Sequence, residues 1–355
     1  MRHGFLWQET VPFLFRRGVL FWSIRGAKAT HSISQEAVMT LPMVEKVPSL
    51  SWADAPAGAV VGNTPLLPLR RLLEKQGVTL WAKAEWFNAS GSVKDRPAQE
   101  ILRKALQEGR LRGRRLVDAT SGNMGIAYAT FAAAWGVPVT LAMPASASPE
   151  RIAVLRGLGA ELVLTDPETG VDGAMAWVAS QVERHPDRYY WANQYDNPAN
   201  WQAHFRTTGP EIARQTAGRV THVVAGTGTG GTLTGVGRYL RSVLPDVRLI
   251  GVQPAGSEER IPGLKHMATS RRRPAVYDRG LLDAVRFVRA REAHEMARRL
   301  AREEGLFVGP SAAAAVWAAC EVAAEVREGL VVVILPDAGY KYLSSPLWAP
   351  KETAV

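Results

Sequence analysis

Thr221-His222-Val223-Val224-Ala225-Gly226-Thr227-Gly228-Thr229-Gly230-Gly231-Thr232 passes from an apolar, β-type run, through a glycine- and threonine-rich turn, into a helical pattern over 232–244. Glycines let backbone N–H groups close on an anion, threonine hydroxyls add donors, and a helix N-terminus supplies a favourable field. A flexible βα turn competes with this reading, and so does a dinucleotide loop. The dinucleotide loop lacks its acidic ribose partner after a first strand, and no lysine follows as a P-loop requires. The segment reads as a phosphate cradle set between a strand and a helix.

The same alternation extends on both sides. β-rich runs recur at 79–86, 115–119, 138–143, 161–165, 220–225, 248–253 and 330–335. Helical patterns lie between them at 97–108, 125–135, 149–158, 232–244, 291–304 and 312–326. Several of the strands are continuous Val/Ile/Leu runs, as expected when helices cover both faces. The fold class is therefore α/β with mainly parallel sheets. No internal repeat or low-complexity tract is evident.

Upstream, Asn88-Ala89-Ser90-Gly91-Ser92-Val93-Lys94-Asp95-Arg96 places a lysine just before a helix. A lysine at a helix start is ordinarily a solvated charge. Here Gly91 and Ser92 give a tight entry and Pro97 suits the first turn. Burial at such a junction depresses the amine's pKa and makes it a nucleophile and a base. An amine able to form an imine, together with a phosphate cradle, is what pyridoxal phosphate asks of a protein.

Two further helix entries are candidates. Thr120-Ser121-Gly122-Asn123-Met124-Gly125 precedes a helical stretch, where free N–H groups bind a carboxylate. Thr120 and Ser121 would add hydroxyls and Asn123 could donate to a phenolate oxygen, although a plain N-cap needs only one of these residues. Gly309-Pro310-Ser311 opens an Ala-rich helix. Ser311 is either its N-cap or a hydroxyl facing a pyridine nitrogen. A serine there leaves the ring a weaker electron sink than an aspartate does, which favours β-elimination.

Length and composition are compatible with this. The chain has 355 residues, enough for two lobes, with 46% apolar and 21% charged residues. Formal charge is +10, but the basic residues are interleaved with acids and only Arg271-Arg272-Arg273 forms a run. No nucleic-acid partner is expected from this pattern, and small anionic substrates are the more economical use of the charge. The single cysteine, Cys320, excludes an intramolecular disulfide and a cysteine zinc cluster, the histidines lack metal-ligand spacing, and no metal is expected. A reducing, cytoplasmic setting fits. The apolar stretch 11–24 is short and interrupted by Arg16 and Arg17, so no membrane span is expected. Residues 1–45 are expected to be a disordered extension or a start assigned too early, with Met39 or Met43 nearer the true beginning.

These segments, in this order, resemble the cysteine synthase family of fold-type-II pyridoxal-phosphate enzymes over residues 48–347. Gly62-Asn63-Thr64-Pro65-Leu66 is similar to the family's entry motif, and Ser92-Val93-Lys94-Asp95-Arg96 to its Schiff-base segment. Asn193-Gln194-Tyr195, Asn197-Pro198-Ala199-Asn200, Thr207-Thr208-Gly209-Pro210-Glu211-Ile212 and Asp337-Ala338-Gly339-Tyr340-Lys341-Tyr342-Leu343-Ser344 follow as in the family. The resemblance implies a two-lobed fold like the tryptophan synthase β-chain. Residues 46–86 and 198–355 would form the larger cofactor lobe and 87–197 a smaller mobile lobe.

It implies that Lys94 holds pyridoxal phosphate as an imine and acts as the catalytic base. Asn123 would contact the ring hydroxyl, Gly228, Thr229, Gly230, Gly231 and Thr232 the phosphate, and Ser311 the pyridine nitrogen. Thr120, Ser121, Gly122, Met124 and Gln194 would surround the substrate carboxylate. Ile261-Pro262-Gly263-Leu264-Lys265-His266 is closer to the B-type, thiosulfate-using isozyme, which carries arginines at the last two positions, so Lys265 becomes a candidate for an anionic sulfur donor. A solvated basic loop is the plainer reading of that stretch. The implied reaction replaces the oxygen substituent of an O-activated serine with sulfide or thiosulfate, in a homodimer. A related β-elimination or replacement, or a non-catalytic amino-acid-binding relative, are the alternatives. Met124 departs from the family's threonine, Ala89 from a proline, Ala312-Ala313 from Ser-Gly, and Tyr340 from a polar residue, which leaves the substrate less determined than the cofactor.

Overall fold

The run 329–335, Gly-Leu-Val-Val-Val-Ile-Leu, is buried over its last five residues. Val331, Val333 and Leu335 enter one apolar core, whereas Val332 and Ile334 enter another on the opposite face. Side chains alternate across a strand, so an unbroken apolar run supplies both faces at once. This strand lies inside a sheet covered on both sides by helices.

The computed structural model describes residues 56–73, 75–120, 122–270, 272–345 and 347–348. The expectations for residues 1–45, Ser121 and Arg271 lie outside them. The described residues belong to one compact unit, Leu50–Val355. Its strands are β1 (Leu66–Leu69), β2 (Val78–Ala84), β3 (Arg115–Ala119), β4 (Val139–Pro144), β5 (Glu161–Thr165), β6 (Tyr189–Trp191), β7 (Val220–Gly226), β8 (Arg248–Pro254), β9 (Ala284–Val288) and β10 (Gly329–Leu335). Its helices are α1 (Pro56–Ala59), α2 (Asp95–Gln107), α3 (Asn123–Trp135), α4 (Pro149–Gly157), α5 (Gly170–Arg184), α6 (Ala199–Arg206), α7 (Thr208–Gln215), α8 (Gly231–Val243), α9 (Ala290–Arg299) and α10 (Pro310–Glu325).

Two sheets result. One has the order β1-β2-β10-β7-β8-β9 and the other β5-β4-β3-β6. Every pairing is parallel except β1 with β2, where Pro68 faces Trp81 at the edge of the larger sheet. The α/β expectation with mainly parallel sheets holds. The smaller sheet is drawn entirely from the chain between Arg115 and Trp191, and the larger sheet from the two flanking stretches.

The seven expected strands are all present, within a residue or two at their ends. β1, β6 and β9 were not expected, for β6 is three residues long and β1 carries a proline. The helical pattern expected over 291–304 is α9 followed by a π-helical turn, Leu300–Glu304, that Gly305 ends at φ 69°. α5 was obscured by Gly170 and Gly173, and α6 and α7 by their short length.

A buried ionic network fixes where α2 begins. Arg96 donates to Glu85 at 2.6 and 2.8 Å and to Glu211 at 2.7 and 2.8 Å. Lys83 donates to Glu211 at 2.6 Å and to the Thr64 carbonyl at 2.7 Å. Two cations and two carboxylates balance, as burial of charge demands. The network ties β2, the Gly62–Thr64 turn and α7 to the residue two positions after Lys94.

Candidate active site

A cavity of about 270 Å³ is lined by Lys94, Thr120, Gly122, Asn123, Met124, Gln194, Gly228, Thr229, Gly230, Thr232, Lys265 and Ser311. Four separately noticed segments therefore meet at one place. Gly231 is not in the wall; it lies behind it, where an added Cβ would come within 2.1 Å of Asn200 Oδ1. His266 also stays outside, with Nδ1 2.8 Å from Thr269 Oγ1.

Lys94 occupies the N-cap of α2. Its loop is laced to the far end of the chain: Val93 N donates to the Pro336 carbonyl at 2.8 Å, and Ser92 bridges Asp337. The Lys94 Nζ makes no hydrogen bond among the described residues, and burial lowers its pKa against the opposing charges of Asp337 and Glu85. A solvated surface lysine has neither property. This amine is shifted toward the neutral, nucleophilic form.

The glycine loop follows β7 and opens α8. Thr227 N donates to the Val252 carbonyl at 2.8 Å, which ends the strand ladder. Beyond it, the N–H groups of Gly228, Thr229, Gly230 and Thr232 find no acceptor among the described residues. Gly230 adopts φ 87°, and a Cβ there would strike Tyr277 at 2.5 Å. A Cβ on Gly228 would strike the Gly263 carbonyl at 2.5 Å. The back of the loop is sealed, while its donors lie at a helix N-terminus.

The Thr120–Gly125 turn is held differently. Gly122 is the N-cap of α3, and Thr120 Oγ1 accepts from Gly125 N at 3.0 Å. Thr120 thus caps from outside the helix and retains its hydroxyl proton. Asn123 is clamped, for its Nδ2 donates to Asp337 Oδ2 at 2.7 Å while its Oδ1 accepts from Lys341 Nζ at 3.0 Å. Only its second amide hydrogen is left for a ligand. Gln194 is positioned by Asp118 at the end of β3, whose Oδ2 accepts from Gln194 N at 3.2 Å. Burial pushes the Asp118 carboxyl up to about 6.

Ser311 lies in the first turn of α10, whose N-cap is Gly309, so the capping explanation does not apply to it. It is buried yet faces the cavity. Lys265 reaches the wall with its ammonium 4.6 Å from the centre of the Tyr195 ring, and burial lowers its pKa. Sequence reasoning did not find Arg151, Tyr195 or Tyr342 in the wall. Arg151 lies 5.2 Å from the Tyr342 ring, in the first turn of α4, where an arginine reads as a solvated charge. Among the described residues, no group of three or more His, Cys, Asp or Glu is placed to hold a metal ion, and no helix is long and apolar enough to cross a membrane.

Residues 59–337 match the model of the pyridoxal-phosphate dependent enzymes. The chain belongs to that family. Within it, the cysteine synthase of Aquifex aeolicus (strain VF5) is 47% identical over 301 residues, covering 82% of this chain and 92% of the relative. Cysteine synthase B of Pseudomonas aeruginosa is 41% identical over 292 residues, or 82% of this chain and 96% of that one. The crystal structure of cysteine synthase from Entamoeba histolytica superimposes with a TM-score of 0.79 at 31% identity, covering 92% of this chain and 96% of that chain. The resemblance to the cysteine synthase family is borne out, as is pyridoxal 5'-phosphate as the cofactor.

The cavity suits that cofactor. Four backbone donors at the mouth of α8 that find no acceptor among the described residues match a phosphate dianion, which only accepts. A buried amine with no hydrogen-bond partner among the described residues matches its aldehyde.

Proposed function

We propose that this protein is a cysteine synthase, which exchanges the acetoxy group of O-acetyl-L-serine for sulfide and releases L-cysteine and acetate. The observation that carries this is the meeting of the Lys94 amine, the glycine loop and the Thr120–Gly125 turn in one cavity. Among its relatives, the curated proteins of Aquifex aeolicus and Pseudomonas aeruginosa bear that activity in their names.

Pyridoxal phosphate, when bound, supplies the electron sink that acidifies the amino acid's α-carbon and lets its β-substituent leave. Lys94 anchors the cofactor, and its Nζ takes the proton from the α-carbon and returns it once sulfur is in place. Gly228, Thr229, Gly230 and Thr232 hold the phosphate, with Gly231 behind them shaping the loop, Asn123 holds the ring hydroxyl and Ser311 the pyridine nitrogen. Thr120, Ser121, the Gly122 turn and Gln194 bind the α-carboxylate, whereas Met124 adds bulk and no donor. Closing of the lobe 87–197 over the lobe formed by 46–86 and 198–355 excludes water from the reacting carbon. The working form is a homodimer in the cytoplasm; a single cysteine suits a reducing compartment.

Thiosulfate is a second sulfur donor in this reading, giving S-sulfocysteine, and the observation favouring it is Lys265 in the cavity wall. An assay offering O-acetylserine with sulfide, thiosulfate or homocysteine identifies the nucleophile. Replacing Lys94→Ala is expected to abolish turnover and the visible absorbance of the purified protein; full activity in that variant would overturn the assignment.

A further inference from the structure

Two of the three threonines of the glycine loop, Thr229 and Thr232, are gripped from behind by one helix. Asn200 and His204 stand four residues apart on α6 and so share a face. Asn200 Nδ2 lies 3.2 Å from Thr229 Oγ1, and His204 Nε2 lies 3.3 Å from Thr232 Oγ1. Both α6 side chains are almost wholly buried, at 2% and 1% exposure, so neither exchanges its partner for water. α6 and α8 touch closely enough that a Cβ on Gly235 would come within 2.1 Å of the Trp201 carbonyl.

The direction of each hydrogen bond follows from what lies beyond it. Asn200 Nδ2 also donates to the Gln194 carbonyl at 2.7 Å, and a carbonyl can only accept, which fixes the amide's orientation. Its second hydrogen therefore goes to Thr229, and the Thr229 proton is left for the cavity. His204 is less constrained, since Nδ1 lies 2.9 Å from Thr208 Oγ1, which can give or take a proton. Burial holds the imidazole pKa down to about 3, so one ring nitrogen bears hydrogen and the other does not. If Nε2 were bare, Thr232 would donate backward and present only lone pairs to a phosphate.

We propose that His204 is a positioning residue for the cofactor phosphate. It is held as the Nε2–H tautomer by a hydrogen bond from Thr208, and it donates to Thr232 so that the Thr232 hydroxyl proton points into the cavity. Asn200 does the same for Thr229. This rests on the cofactor reading given above and adds a second rank of residues to it.

The protonated nitrogen is observed directly by long-range proton–nitrogen correlation on the ¹⁵N-histidine-labelled holoenzyme, with His204 assigned by its loss in His204→Gln. Hydrogen on Nε2 is expected; hydrogen on Nδ1 overturns the proposal. Binding separates positioning from packing. In His204→Leu the dissociation constant for pyridoxal phosphate should rise about tenfold, as for one lost charge-assisted hydrogen bond. That for pyridoxal, which has no phosphate, should stay unchanged, and His204→Gln should recover most of the loss. Equal weakening toward both aldehydes would mean a merely structural histidine and defeat the proposal. Should the wild-type chain take up neither aldehyde, the cofactor reading fails, and this inference falls with it.

Discussion

In the proposed carboxylate site Met124 takes the place of a third hydroxyl; it lines the cavity and is buried at 3% exposure. Supplying a donor with Met124→Thr is expected to lower KM for O-acetylserine by roughly tenfold or more, the worth of one hydrogen bond to a charged group, with kcat little changed. Steady-state kinetics checks this. Lys265 offers a second comparison at the same wall. Lys265→Met keeps the stem and removes the charge, so kcat/KM should fall for thiosulfate and hold for sulfide when the two donors are assayed in parallel. Lys94 and Ser311 were legible in the sequence because each stands beside a glycine- or proline-marked helix entry. Arg151, Asn200 and His204 were not, since a charged or polar residue on a helix shows its partner only once the helices are packed. Asn123 was half legible: its place in the cavity was expected, whereas its clamping by Asp337 and Lys341 depends on residues more than two hundred positions away.

Helix α2 owes its start to the network of Lys83, Glu85, Arg96 and Glu211, and so does Lys94. Burial alone would raise the Glu211 carboxyl, but hydrogen bonds and charge from Arg96 and Lys83 outweigh it and hold the pKa at about 2. The folded value lies below the unfolded one, so this stabilisation is full above about pH 4.5 and is lost as pH falls toward 2. Glu211→Gln is expected to destabilise the protein by about 3 kcal/mol at pH 7, the effect of breaking a buried ion pair. The difference should shrink at pH 3, as urea unfolding at the two pH values will read. The α6–α8 contact gives another test. Gly235→Ala pushes a methyl into backbone at Trp201, and overpacking of this kind costs about 1–3 kcal/mol. Thermal unfolding should show it. The long apolar strands and amphipathic helices were readable from their periods, but β6, α6 and α7 are too short for a period to register.

The whole chain carries a formal charge of +10 while its cavity wall presents Lys94, Arg151 and Lys265 and no carboxylate. Attraction of that kind is screened by salt and acts only on charged ligands. Raising ionic strength should therefore reduce kcat/KM for thiosulfate while leaving that for the zwitterion O-acetylserine nearly constant, as initial rates across a salt series will show. The α/β architecture was legible because parallel strands buried on both faces write themselves as unbroken Val/Ile runs. The antiparallel β1 was not, and it sets the border of the larger sheet. Proline has no amide hydrogen to offer a neighbour, so Pro68 interrupts the outer row of donors on that border strand. A foreign strand arriving there meets a broken template, and the same residue that hid β1 from view guards the protein against fibre-like growth.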